Sequence, residues 1–216
     1  MGMGIYLEMR VEVGDLAIHI WPFAVGILVL LLLILWFRKH SLSYLLCAAV
    51  FGIYLLFALD KVFFPIAISG SYAQSMRQEP FSLFINLIPF QFGPFGATLE
   101  DAFVTLMQNV LLTIPFGFGL SFILPIKARH FLWLAFAVGF GIELSQLVIS
   151  LILGYPYRYI DINDVLMNAL GVLIGYSLFV IFSRLYLCAS RYVPLSHRGL
   201  TAYIHAVASR AITPSN

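Results

Sequence analysis

The sequence predicts an all-α integral membrane protein of about five transmembrane helices, N-terminus outside and C-terminus inside. Three observations carry the prediction. Hydrophobic residues make up 62% of the 216 and charged residues only 10%, whereas a soluble domain holds about 25% charged residues. Several apolar runs reach the roughly 20 residues a helix needs to cross hydrocarbon. The basic residues gather on alternate connections, as the positive-inside bias requires. Five spans account for 1–216 as a single membrane domain, with no room for a separate soluble one. A net charge of only +2 gives no electrostatic reason to expect nucleic acid as a partner.

Residues 1–15 form a short polar lead. The first span covers 17–37, is apolar apart from His19, and ends at Arg38-Lys39-His40. The basic cluster follows the apolar run and no A-x-A site closes it, so this segment is expected to stay as a span and not to be cleaved as a signal peptide. The second runs from Leu42 to Leu59 and stops at Asp60-Lys61, so the first two spans fill 16–64. The third is expected over Ala102–Leu124, the fourth over Phe131–Leu153 and the fifth over Val165–Leu187, followed by a cytoplasmic basic tail, 188–216. Within the long outer connection, F-S-L-F-I-N-L-I-P-F at 81–90 is too short to span, which predicts an interfacial or re-entrant segment centred on Asn86.

Charge fixes the orientation. Arg38, Lys39, Lys127, Arg129, Arg184, Arg191, Arg198 and Arg210 fall in the inner connections and tail, eight of the twelve basic residues, and none of the ten acids does. Cys47 and Cys188 both lie at inner ends of spans, on the reducing side, and are expected to be thiols.

The polar residues of the spans carry the functional reading. Glu143 and Gln146 lie three apart on one helical face. Asp161, Asp164, Asn168, Gly171 and Gly175 follow at spacings of 3, 4, 3 and 4, a single stripe on the next helix. At 1.5 Å per residue, Asn109 sits roughly 10 Å below the outer surface, Glu143 at about 10–15 Å and Asn168 about a turn down. Carboxylates and amides at such depths need a partner or water. The expectation is one outward-facing pocket that binds a ligand through Asn86, Asn109, Glu143, Gln146, Arg158, Asp161, Asp164 and Asn168.

Other readings of these residues stay open. Arg158 suits a bidentate bridge between Glu143 and Asp161, or else a place beside Tyr155, Tyr157 and Tyr159 in an interfacial aromatic belt. Helix capping accounts for Asp164 more readily than for Asp161. Asn109 and Asn168 also suit interhelical hydrogen bonding, and Gly171 with Gly175 forms a GxxxG for close helix packing. The oxygen donors would suit a hard cation such as Mg²⁺ or Ca²⁺, but the spacing matches no dedicated loop. The histidines do not cluster and no metal site is predicted. No P-loop, H-E-x-x-H or G-x-S-x-G occurs.

Taken in order, N-L-I-P-F at 86–90, N-V-L-L-T-I-P-F-G at 109–117, Glu143 with Gln146, then Arg158, Asp161, Asp164, Asn168, Gly171 and Gly175 resemble the VanZ-like family, over a core of about 81–176. The resemblance implies a multi-spanning protein of the bacterial plasma membrane, from a family named for an accessory factor in resistance to the glycopeptide teicoplanin. Three functions follow. The first is recognition of an amphiphilic envelope ligand, membrane lipid, a lipid-linked cell-wall precursor or a lipoglycopeptide, without a cofactor. The second is an acid/base hydrolase or transferase acting on envelope glycolipids, with Glu143, Asp161 and Asp164 as its catalytic candidates. The third is a structural lock, Glu143–Arg158–Asp161, with no ligand.

Overall fold

The computed structural model describes residues 16–91, 98–192 and 198–212; the polar lead and the remainder of the tail lie outside them. Four described helices are long and apolar enough to cross a membrane: α2 (Leu42–Phe63), α4 (Leu99–Ile123), α5 (Ala128–Leu153) and α6 (Ile162–Tyr192). A shorter apolar helix, α1 (Trp21–Phe37), precedes them. The first expected span is thus trimmed at its start. Leu16–Ile18 is a strand, β1, paired antiparallel with β2 (Ile66–Ser69). The 17 residues of α1 give about 25 Å of helix, short of the roughly 30 Å of hydrocarbon.

Contacts between neighbouring helices set their directions. Trp21 meets the edge of Phe57 at 5.1 Å and Leu28 lies against Gly52, so α1 and α2 run antiparallel. The Tyr54 hydroxyl donates to the Leu112 carbonyl at 2.7 Å and Phe51 meets Phe116, which reverses α4 against α2. Phe131 stacks on Tyr176 at 3.8 Å and Gly139 faces Val165, so α5 opposes α6. In contrast, α4 and α6 are parallel: Gly171 faces Val110 and Thr113, and Gly175 faces Ile114 and Phe118. The starts of α1, α4 and α6 and the ends of α2 and α5 therefore share one end, which the charge pattern marks as the outer one.

The α4–α6 seam is close because of its small residues. A Cβ on Gly175 would land on the Ile114 carbonyl and the Phe118 amide, and one on Gly117 on the Val172 carbonyl. The Thr113 hydroxyl crosses the seam to the Asn168 carbonyl at 2.9 Å. At its start α4 is held by a capping box between Thr98 and Asp101, three residues ahead of the expected Ala102. It continues through Pro115 as one helix. Gly154 closes α5 with a left-handed φ of 74°, which glycine adopts without Cβ strain.

The inner end departs further from expectation. α6 extends to Tyr192, 31 residues or about 46 Å. The described part of the tail is a helix, α7 (Gly199–Ile212), folded back onto the bundle. The Tyr186 hydroxyl donates to the Thr201 carbonyl at 3.0 Å, the Tyr203 hydroxyl to the Phe122 carbonyl, and Val207 and Ala208 are buried. Cys47 and Cys188 are free thiols.

Candidate functional site

The outer end is assembled by two connections, from α2 to α4 and from α5 to α6. A six-residue helix, α3 (Ser71–Met76), follows β2. Segment 81–90 begins with a short 3-10 helix over Phe81–Phe84. It continues as β3 (Ile85–Asn86), which pairs parallel with β4 (Ile160–Asp161). The expected interfacial segment is thus docked by backbone pairing onto the start of α6, and Leu87, Ile88 and Phe90 stay exposed beyond it.

The eight residues expected in one pocket separate into three groups. The first is a lock built on Asp161. Its Oδ1 accepts from Asn86 Nδ2 at 3.0 Å, from Asn163 Nδ2 at 2.9 Å and from the Asn163 amide at 2.8 Å. Asn86 and Asn163 both donate to the Gln91 carbonyl, and Asn163 Oδ1 accepts the Phe90 amide at 2.7 Å. The carboxylate that caps α6 is therefore Asp161, not Asp164, because its oxygen reaches the amide two residues on. Burial pushes its carboxyl above the usual range, against the pull of the Asn163 and Asn86 hydrogen bonds.

The second group closes the outer end of α2. Gln146 Nε2 donates to the Val62 carbonyl at 3.0 Å and Arg158 Nη2 to the Phe64 carbonyl at 3.2 Å. A cation is favourable there, where the helix leaves carbonyls unsatisfied. The expected Arg158 bridge between Glu143 and Asp161 is not formed. Arg158 lies over the Tyr157 ring, 5.8 Å from its centroid, with its Nε buried and without a hydrogen-bond partner among the described residues. Of the three tyrosines expected in an aromatic belt, Tyr159 is half-buried. Tyr155 and Tyr157 are fully buried, with the Tyr155 hydroxyl on the Ala67 carbonyl. Burial drives the Tyr157 phenol up to about 12, partly opposed by Arg158.

The third group is the interior. Glu143 is buried on α5, and its Oε2 accepts the Asp161 amide at 3.0 Å. Its charged neighbours are Asp164 and Asp161, with no cation among them. The Asn109 side chain lies within hydrogen-bonding range of Asp164 without a well-aligned bond, and Asn168 Oδ1 has no partner among the described residues. The Asn168 oxygen and the poorly aligned Asn109 amide leave hydrogen-bonding capacity for water or a ligand. Among the described residues no three His, Cys, Asp or Glu side chains come close enough to hold a metal ion. Asp161 is committed to the lock, which leaves Glu143 and Asp164 as the acids facing the interior.

Sequence reasoning missed Asn163, which is buried and joins Asp161, Phe90 and Gln91. It falls off the Asp161–Asp164–Asn168 stripe. The available signal was local: an Asp with a polar residue two positions on is the pattern of an Asx turn.

Apolar helices of alternating direction, with an acid and amide cluster buried at one end, define a multi-pass membrane protein. The VanZ/LLP1 family model matches residues 51–183. The chain belongs to that family, and the match takes in most of α2, all of α4 and α5, and α6 as far as Ser183. No curated protein and no solved structure matches the chain significantly.

Proposed function

We propose that this chain resides in the bacterial plasma membrane and captures an amphiphilic envelope ligand at its outer end. The ligand presents hydroxyl or amine donors to Glu143 and Asp164. A lipid-linked cell-wall precursor fits, as does a lipoglycopeptide such as teicoplanin, in which case capture would bear on glycopeptide resistance. The observation that supports the reading is the pair of interior carboxyls, Glu143 and Asp164, close to one another and beside the Asn109 side chain and an Asn168 Oδ1 that lacks a partner among the described residues. Exposed Leu87, Ile88 and Phe90 offer apolar surface for an acyl chain at the same end. Membrane lipid is the default neighbour of both features.

The test is photo-crosslinking of a lipid-linked precursor in membranes. Glu143→Gln is the informative variant, because the glutamine carbonyl still accepts the Asp161 amide and only the acid function is lost. Labelling is expected to fall roughly fivefold, the worth of about 1 kcal/mol for one hydrogen bond. Arg158→Ala should loosen the α2 end and lower stability, with labelling per folded molecule retained. Labelling unchanged in both Glu143→Gln and Asp164→Asn rejects recognition here.

A further inference from the structure

A second site lies at the other end of the bundle. Where α4 ends and α5 begins, α6 and α7 border a half-open cavity of about 330 Å³. Leu124, Ile126, Phe179 and Val207 line it together with Lys127 and Arg210. The two basic residues are exposed, whereas Val207 is almost wholly buried. The cavity thus has an apolar interior and cations at its rim. Residues 124–130 and 198–212 contain no acid, so neither segment supplies a counter-charge. Glu143, Asp161 and Asp164 belong to the far half of the bundle.

We propose that this cavity binds the phosphate headgroup of an anionic phospholipid from the inner leaflet, with an acyl chain along its apolar wall. Lys and Arg both bind phosphate, the ammonium as a point charge and the guanidinium as a fork. Basic pockets among helices on the cytoplasmic side suit anionic lipid for the same reason. An apolar wall of this size favours a lipid over a free phosphate, which would leave it empty. The fold supplies the site only because α7 turns back: without it Arg210 would not stand over the α4–α5 connection.

The full chain in phosphatidylcholine nanodiscs doped with phosphatidylglycerol, followed by native mass spectrometry of retained lipid, tests this. Phosphatidylglycerol should be retained over phosphatidylcholine by roughly thirtyfold, from two basic contacts at the membrane surface. The preference should fall about fivefold in Lys127→Ala or Arg210→Ala and to near parity in the double variant. Lys127→Arg with Arg210→Lys should keep it. Ala211→Phe, which narrows the cavity and leaves both charges, should also reduce retention, since the site is a cavity and not merely a positive surface. An unchanged preference in the double alanine variant, or in Ala211→Phe, overturns the proposal. Displacement of the lipid by millimolar inorganic phosphate alone overturns the lipid as occupant.

Discussion

A single methyl group placed at Gly175 should separate α4 from α6. Ala is favoured over Gly in a helix interior by about 1 kcal/mol, so on propensity alone Gly175→Ala would stabilise. Its Cβ, however, would land on the Ile114 carbonyl and the Phe118 amide. These are backbone atoms of a continuous helix and have no rotamer to move to. Forcing a methyl group into such packing costs typically about 1–3 kcal/mol. Gly141, on α5, provides the control, since a Cβ there meets nothing within 4 Å. The two variants share chemistry and propensity and differ only in the space available. Gly175→Ala should therefore be less stable than Gly141→Ala by about 1–3 kcal/mol, a difference of several degrees in Tm for a chain of this size. Thermal unfolding of the purified chain in one detergent, followed by circular dichroism, measures it. A Gly175→Ala chain that melts at or above Gly141→Ala would refute the close seam.

Two further outcomes probe the outer lock. Asn163→Ala removes side-chain bonds to Asp161, Phe90 and Gln91; leaving such groups unpaired costs about 1–3 kcal/mol. The lost stability should localise, with amide hydrogen exchange rising in 85–91 before it rises in α4 or α6. Asp161 gives a pH signature. Its carboxyl sits above the usual range in the folded chain, so the folded state holds a proton that the unfolded state has already lost. That contribution is present below the unfolded carboxylate range and is lost as pH rises through the raised value. Tm measured across mildly acidic pH should decline from this source in the unaltered chain, and Asp161→Asn should lack the decline.

The fold was legible where one physical rule decided it. Length and hydropathy located the helices because hydrocarbon leaves the backbone few alternatives. Basic residues placed the inner connections, and the Gly171–Gly175 spacing pointed to a helix seam. Non-local pairings were not legible. The β1–β2 pair joins Leu16–Ile18 to Ile66–Ser69 across two helices, and nothing in L-A-I marks a strand at the head of an apolar run. The candidate site was legible as a list of polar residues at one depth but not as a geometry. Arg158 had two carboxylates within plausible reach, yet the end of α2 supplied an unsatisfied carbonyl at Phe64. Spacing along the chain cannot rank an acid against a helix terminus. α7 escaped because G-L-T-A-Y-I-H-A-V-A-S-R-A-I is too short and too polar to span and was read as tail.

The position of the outer polar cluster follows from the seam itself. α4 and α6 start at the same end and run parallel, so their register persists: Val110 beside Gly171, Ile114 beside Gly175, Gly117 beside Val172. At Gly171, Gly175 and Gly117 the glycines let the two backbones touch. One to two turns outward the same faces carry Asn168, Asn109 and Asp164, so the interface turns from apolar to polar. α5 brings Glu143 to the same end, fixed by the Asp161 amide. A polar cluster at the outer end and a close glycine seam beneath it follow from one change of residue type along a single stripe.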